Sequence, residues 1–217
     1  MTPSQVFDAL GRYAVIPVIA IESPEAAIPL ADALLEGGLP VIEITFRTAA
    51  AAEVIAQLCE KRPELLIGAG TVLTPANLQA ARSCGARFGV APGLNVEVVQ
   101  AAGALGMPFI PGVCTPTEIE RGLALGCGVL KFFPAETMGG VEMLKALIGP
   151  YEHTGVRFVP TGGVNMQNLT SYLALPAVLA VGGTWIARKE DISARRWREI
   201  SDRCRQATQA VANARSA

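Results

Sequence analysis

The sequence predicts an α/β protein of the (β/α)8, or TIM-barrel, class, with an extra N-terminal helix around residues 3–11. Eight short apolar runs alternate with helix-like segments rich in Ala, Leu and Glu. No linker or low-complexity segment interrupts this alternation. Because eight repeats within 217 residues fit a compact barrel, residues 1–217 are expected to form a single domain.

The predicted strands follow one another at regular spacing. They are AVIPVIAI (14–21), VIEITFR (41–47), LLIGAG (65–70), RFGVAP (87–92), MPFIPGV (107–113), VLKFF (129–133), VRFVPTG (156–162) and AVLAVGG (177–183). Several helix-like segments between them open after Thr, Ser or Asn and end at Gly, as capped helices do. A doubly wound fold is the alternative, but GAGTVL at 68–73 lacks the G-x-G-x-x-G pattern of a dinucleotide-binding loop.

Charge and cysteine content limit the class of protein. The formal net charge is -1 and no run of Lys or Arg precedes the last helix, so no nucleic-acid partner is expected. The apolar run near the N terminus is too short to span a bilayer, and we expect neither a signal peptide nor a membrane segment. Five cysteines without C-x-x-C spacing argue against disulfides and thiolate metal sites, and they fit a reducing cytoplasm.

Lys131 stands inside the apolar run VLKFF. A buried ammonium group is disfavoured unless it has a partner or a chemical role, because desolvating the charge is costly. Strand alternation puts Val129, Lys131 and Phe133 on one face. Barrel enzymes carry their chemistry at the carboxyl ends of the strands, so this face is predicted to line the mouth of the barrel, with Phe133 among the substrate-binding residues.

The second predicted strand supplies further polar side chains to the same mouth. Glu43, Thr45 and Arg47 share one parity, whereas the residues between them are apolar. Thr71 reaches the rim where the third strand ends. Glu43 and Lys131 could form only a structural ion pair. Alternatively, the second cation at Arg47 and an apolar environment would disfavour the charged form of Lys131. They would thus favour the neutral amine that forms Schiff bases.

Glycine pairs end the seventh and eighth predicted strands, where barrels commonly bind phosphate through backbone N–H groups. One such pair is more often a turn, but two at adjacent strands favour an anion site. Two threonines could add hydroxyl donors. The predicted phosphate-binding residues are Thr161, Gly162, Gly163, Gly182, Gly183 and Thr184.

Other candidates are weaker. His153, the only histidine, precedes the seventh strand and is expected in a solvated loop, and it cannot build a metal site alone. Cys114 lacks a nearby histidine base and is expected to be a packed thiol beside the mouth. Glu136 could act as a base at the rim or serve a helix dipole, and Glu43 is the preferred general acid/base.

The segments VIEITFRT, GAGTVLTP, FIPGVCT, LKFFPAE, PTGGVN and VGGTW, in this order over nearly the whole chain, resemble the KHG/KDPG aldolases. That family cleaves 2-keto-3-deoxy-6-phosphogluconate (KDPG). The resemblance implies a metal- and cofactor-independent class I lyase of the Entner–Doudoroff pathway of carbohydrate metabolism, assembled as a homotrimer. It carries the Schiff-base role to Lys131, the acid/base role to Glu43 and the pyruvyl carboxylate contacts to Arg47 and Thr71. The expected products are pyruvate and glyceraldehyde 3-phosphate.

The resemblance also assigns phosphate contacts to Gly162, Gly163 and position 184. Several relatives are expected to have Ser at 184, so Thr184 leaves open the choice between KDPG, its galactonate epimer and unphosphorylated 4-hydroxy-2-oxoglutarate. A sugar-phosphate isomerase would leave Lys131 unexplained. A non-catalytic sugar-phosphate-binding barrel would need no inward set of Glu43, Arg47 and Lys131.

Overall fold

The structure is a computed structural model that describes residues 1–216; Ala217, the last residue of the predicted domain, lies outside the described residues. Parallel strands alternate with helices along the chain. The strands are β1 (Val15–Ile19), β2 (Val41–Thr45), β3 (Leu66–Gly70), β4 (Phe88–Val90), β5 (Phe109–Ile110), β6 (Gly112–Val113), β7 (Val129–Phe132), β8 (Arg157–Phe158) and β9 (Val181–Gly183). The α-helices are α1 (Pro3–Tyr13), α2 (Ala27–Glu36), α3 (Ala51–Lys61), α4 (Pro75–Ser83), α5 (Val96–Ala104), α6 (Pro116–Ala124), α7 (Gly140–Ile148), α8 (Leu169–Leu173), α9 (Lys189–Ser193) and α10 (Trp197–Ser216).

All strand pairs are parallel, and they form two sheets among the described residues. One sheet has six strands in the order β5-β4-β3-β2-β1-β9, and the other has three in the order β6-β7-β8. Two isolated parallel bridges, Phe158 with Val178 and Thr161 with Gly182, connect the end of the small sheet to the β9 segment. The predicted parallel α/β architecture is confirmed, whereas the strand pairings are those of an open six-stranded sheet beside a three-stranded one.

The predicted fifth strand is divided. Residues 107–113 form β5 and β6, which are separated by Pro111 and pair with β4 and β7 respectively. Proline has no N–H to donate to a ladder, so it interrupts regular pairing there. The other strands are shorter than predicted, most of all β8, where only Arg157–Phe158 are paired as strand. The predicted N-terminal helix is present as α1.

Local sequence signals explain where several helices begin. Thr2 caps α1 in a capping box with Gln5, and Thr115 caps α6 in the same way with Glu118. Each box satisfies N–H groups that the first helical turn leaves without partners. A proline follows each of these threonines, where its missing N–H costs nothing.

The core consists of the apolar strand residues and the helix faces that cover them. All five residues of β1, β2 and β3 are buried. Because β2 is buried on both faces, its polar residues are held inside the protein rather than at its surface. In residues 1–216, no helix is both long and apolar enough to cross a membrane.

Candidate functional site

The polar residues of β2 lie on the face that alternation predicts. Glu43 is 3% exposed and Thr45 is 1% exposed. The Thr45 hydroxyl donates to the backbone oxygen of Ile19 at 3.0 Å and accepts a hydrogen bond from Arg47 Nε at 3.1 Å. Arg47 itself is exposed. Thr45 therefore orients the guanidinium group from inside the sheet while the end of Arg47 reaches the solvent side of the site.

The Glu43 carboxyl group lies over Gly70, the last residue of β3. A Cβ atom placed on Gly70 would lie 2.8 Å from Glu43 Cδ and would overlap Glu43 Oε1. Glu43 Oε1 is buried and has no hydrogen-bond partner within the described residues 1–216. Burial raises the pKa of Glu43, and the charges of Lys131 and Arg47 oppose that shift without cancelling it. An unpaired buried carboxyl that holds its proton unusually well is suited to general acid/base chemistry.

Lys131 is 5% exposed and lies on β7, paired in register with Gly112. Its Nζ atom is 5.2 Å from the centroid of the Phe133 ring. Within residues 1–216, no ion pair within 4.0 Å joins Lys131 to Glu43. The two residues are close enough to affect each other electrostatically, but they do not form the tight ion pair of a purely structural role.

Thr71 follows directly on β3 and has a left-handed backbone, with φ of 53°. This conformation is unfavourable for a β-branched residue and costs about 1–3 kcal/mol. Thr71 is half-buried at the end of the strand that carries Gly70. Strained residues of this kind occur preferentially at functional sites, where the surrounding structure holds them in place.

The loop after β8 has features of an anion site. Gly162 and Gly163 have φ angles of 98° and 83°. Among the described residues, no hydrogen-bond acceptor is assigned to the N–H group of either glycine. A Cβ atom on Gly162 would lie 3.3 Å from Phe133 Cε2. Phe133 therefore lies close to both the amine of Lys131 and the glycine loop, which places the two in one region.

The second glycine pair has a different environment. Gly182 and Gly183 are buried in β9. A Cβ atom on Gly182 would overlap the Thr161 hydroxyl, and one on Gly183 would overlap the Trp185 ring. Thr161 is buried and its hydroxyl lies 3.4 Å from the backbone oxygen of Val159. These glycines make room for neighbouring side chains, whereas Thr184 is exposed at the end of β9.

The weaker candidates are placed away from the reacting groups. His153 is exposed in the 3₁₀ turn Gly149–Thr154 ahead of β8, as predicted. Cys114 Sγ lies 3.4 Å from Glu118 Oε2, and burial followed by this carboxylate raises the pKa of the thiol. Glu136 accepts a hydrogen bond from Tyr172 and contacts the glycine loop.

In the part of the chain that the structure describes, no cluster of His, Cys, Asp and Glu is arranged to hold a metal ion.

Comparison with known proteins identifies the family. The family model for KDPG and KHG aldolase matches residues 6–203. The chain belongs to the KDPG and KHG aldolase family. The 2-dehydro-3-deoxy-phosphogluconate aldolase of Treponema pallidum is 48% identical over 95% of this chain and 97% of its own length. The KHG/KDPG aldolase of Escherichia coli K12 is 40% identical over 90% of this chain and 91% of its own length.

A solved structure of the same family is closely similar. The KDPG aldolase of Legionella pneumophila, with pyruvate captured at low pH as a covalent carbinolamine intermediate, has a TM-score of 0.89. It is 42% identical, and the match covers 95% of this chain and 98% of that one. The family assignment made from the sequence motifs is therefore confirmed.

Two features of this KDPG and KHG aldolase site were not singled out from the sequence. Gly70 appeared only as part of the GAG run, and its role in seating Glu43 depends on which side chain lies across from it. Tyr172 meets Glu136 across 36 positions of the chain. No periodicity or local motif signals such a contact, because it arises only when helix α8 packs against the segment that follows β7.

Proposed function

We propose that this chain is a class I aldolase that cleaves KDPG to pyruvate and glyceraldehyde 3-phosphate, with Lys131 as the nucleophile. The observation that carries the proposal is the placement of Lys131. Its buried amine makes no tight ion pair with any of residues 1–216, and it lies near the buried Glu43, whose raised pKa favours the protonated form. Membership of the KDPG and KHG aldolase family and the covalent pyruvate adduct in the Legionella pneumophila relative support the same chemistry.

Substrate binding precedes the chemistry. The guanidinium group of Arg47, oriented by Thr45, binds the carboxylate of the pyruvyl half, and Thr71 contributes at the same end. Phe133 lines the middle of the site beside Lys131. The phosphate binds at the other end, to the free N–H groups of Gly162 and Gly163 and to Thr184, with Thr161, Gly182 and Gly183 shaping the floor beneath it. Holding both ends fixes the C2 ketone against the amine.

Imine formation uses Lys131 and Glu43. The amine of Lys131 attacks C2, and Glu43 transfers a proton to the carbonyl oxygen to give a carbinolamine. Glu43 then takes a proton from the new nitrogen centre and passes it to the hydroxyl group, which leaves as water, so that the iminium ion forms and Glu43 is left as a carboxylate. The buried position of Glu43 favours this step because its raised pKa keeps a proton available for transfer.

Carbon–carbon cleavage follows from the iminium ion. Glu43, now a carboxylate, takes the proton of the C4 hydroxyl directly or through water; the C3–C4 bond breaks, and its electron pair moves into an enamine at C2–C3. Glyceraldehyde 3-phosphate leaves. Protonation of the enamine at C3 and addition of water to the iminium carbon release pyruvate and restore the free amine of Lys131.

The same machinery supports cleavage of 4-hydroxy-2-oxoglutarate, since only the pyruvyl half of the substrate takes part in imine chemistry. The Escherichia coli relative is named for both activities. The galactonate epimer of KDPG is the alternative substrate, and the curated relatives at 40–48% identity described above favour the gluconate form. A non-catalytic sugar-phosphate-binding role would leave the Lys131 and Glu43 arrangement without a purpose.

We also propose that the strands close into a (β/α)8 barrel in which β5 and β6 form one broken strand. The two bridges between the small sheet and β9 support this closure, and with it a single domain for the described residues 1–216. Family membership supports a homotrimer that acts in the cytoplasm, in the Entner–Doudoroff pathway and without a metal or other cofactor. Light scattering of the purified protein tests the trimer.

A coupled assay tests the activity. Lactate dehydrogenase reports pyruvate as KDPG is cleaved by the wild type, Lys131→Met and Glu43→Gln. We expect Lys131→Met to abolish cleavage and Glu43→Gln to lower kcat by about 10²–10⁴-fold, the usual contribution of one general acid/base group. Wild-type protein that releases no pyruvate from KDPG would refute the proposed activity, and an active Lys131→Met variant would refute the mechanism.

A further inference from the structure

Glu136 and Tyr172 form a contact that the reaction itself does not use. The Tyr172 hydroxyl donates to Glu136 Oε1 at 2.5 Å. Tyr172 is fully buried on α8, and Glu136 lies in the segment that follows β7. Burial, followed by the hydrogen bond to Glu136, raises the pKa of Tyr172, so its hydroxyl remains a donor. The hydrogen bond thus connects α8 to the segment that follows Lys131 and Phe133.

The Glu136 side chain packs directly against the predicted phosphate loop. A Cβ atom on Gly163 would lie 2.5 Å from Glu136 Cγ and 2.6 Å from Glu136 Cβ. The backbone N–H of Glu136 donates to the Gly162 oxygen at 3.0 Å. Glu136 therefore holds one side of the loop by a backbone hydrogen bond and by close packing of its aliphatic part.

Two asparagines hold the loop from its other end. Asn165 Nδ2 and Asn168 Nδ2 donate to the Gly163 oxygen at 3.1 and 3.3 Å. Both glycine carbonyl groups therefore accept hydrogen bonds, which fixes the peptide planes. The N–H groups of Gly162 and Gly163 have no acceptor in the described part of the chain and can bind a ligand. Glycine has more conformational freedom than any other residue, so an anion site built on two glycines depends on such restraints.

We propose that Glu136 and Tyr172 are positioning residues that hold the Gly162–Gly163 loop in the conformation that binds the substrate phosphate. The inference rests on the proposed function of that loop. Glu136 acts through the loop rather than as a base, because its carboxylate is bound to Tyr172 and its stem lies against Gly163. Its role therefore concerns the affinity for phosphate and not the proton transfers at Lys131.

Three variants separate the parts of this contact. Tyr172→Phe removes only the hydroxyl donor, Glu136→Ala removes the acceptor and the packed stem, and Glu136→Gln keeps both an acceptor oxygen and the stem. Binding of inorganic phosphate is measured by ³¹P NMR titration, which needs no turnover. KM and kcat are then measured for KDPG and for 4-hydroxy-2-oxoglutarate, with circular dichroism to check that each variant folds.

We expect Tyr172→Phe and Glu136→Ala to raise the Kd for phosphate and the KM for KDPG by about tenfold, the effect of losing one hydrogen bond to a charged group. In these two variants, kcat for KDPG and kcat/KM for 4-hydroxy-2-oxoglutarate should stay within about threefold of the wild-type values. Glu136→Gln should retain wild-type affinity for phosphate. The proposal would be overturned if Tyr172→Phe bound phosphate as tightly as the wild type, or if the wild type did not bind phosphate. It would also be overturned if kcat/KM fell equally for KDPG and for 4-hydroxy-2-oxoglutarate. Wild-type protein that binds phosphate but cleaves neither substrate would instead refute the aldolase activity alone, since the titration tests the loop independently.

Discussion

The carboxyl group of Glu43 occupies the space that a side chain on Gly70 would fill, with Glu43 Cδ only 2.8 Å from the position of such a Cβ atom. Gly70 is the last residue of β3 and pairs in register with Thr45. The position of the proposed general acid/base therefore depends on the absence of a side chain on the neighbouring strand.

Gly70→Ala should displace Glu43 and lower kcat by about 10²-fold, because misplacing a reacting group by about 1 Å can cost that much. Overpacking should also lower the free energy of unfolding by about 1–3 kcal/mol. Gly103→Ala is the matched control, since an added Cβ there meets no atom of residues 1–216 within 4 Å. Steady-state kinetics and urea denaturation measure both effects. Wild-type kcat in Gly70→Ala would show that Glu43 need not lie where the structure places it.

The raised pKa of Glu43 predicts a pH-dependent stability. The folded chain holds this proton more tightly than the unfolded chain, whose carboxyl has an ordinary pKa of 4.5. The stabilisation from the bound proton is fully present below that value and is lost as pH rises through the folded-state pKa. Glutamine at position 43 has no proton to lose in this pH range. The free energy of unfolding of Glu43→Gln, measured relative to wild type, should therefore increase as pH rises from 4.5 through the folded-state pKa.

Urea denaturation from about pH 4 to about pH 9 measures that difference, which can change by at most about 1.4 kcal/mol per pH unit for one group. Glu53→Gln is the control because Glu53 is exposed on α3. A stability difference between Glu43→Gln and wild type that does not vary with pH would contradict the assigned burial of the Glu43 charge.

Thr71→Gly separates strain from function. Glycine adopts a φ of 53° without steric cost, so the variant should be more stable by up to about 1 kcal/mol after allowance for its greater freedom when unfolded. Loss of the hydroxyl should nevertheless lower kcat/KM for both substrates, since both present a pyruvyl carboxylate. Arg195→Gly relieves a similar φ of 55° at an exposed residue and should leave kcat/KM unchanged. Thr71→Gly with full activity would remove Thr71 from the site.

Thr184→Asp tests the phosphate end. Thr184 is exposed, so an aspartate there adds a negative charge without crowding the core. We expect a sharp rise in KM for KDPG and little change for 4-hydroxy-2-oxoglutarate, which carries no phosphate. Thr184→Asn is the uncharged control of similar size. If KM rises equally for both substrates in Thr184→Asp, Thr184 does not contact the phosphate. Substitution of Gly162 would be a poorer test, because a Cβ atom there would press on the Phe133 ring. That ring lies beside the Lys131 amine, so the imine chemistry would be affected as well.

Strand alternation was sufficient to place Glu43, Thr45 and Lys131 inside the protein, because a strand buried under helices leaves only one face for its polar residues. Contacts between distant segments were not predictable in this way. The division of the fifth strand at Pro111 shows that a β-rich run need not pair along its whole length. The two glycine pairs are equivalent in the sequence, yet Gly182 and Gly183 make room for Thr161 and Trp185. The N–H groups of Gly162 and Gly163, by contrast, have no acceptor among the residues that the structure describes.

Borohydride trapping with pyruvate tests the central claim most directly, namely that Lys131 forms the imine. Reduction converts a transient imine into a stable secondary amine, which peptide mass spectrometry locates. We expect a pyruvyl adduct on Lys131 in the wild type and no adduct in Lys131→Met. An adduct on another lysine, or no adduct in an enzyme that cleaves KDPG, would contradict it.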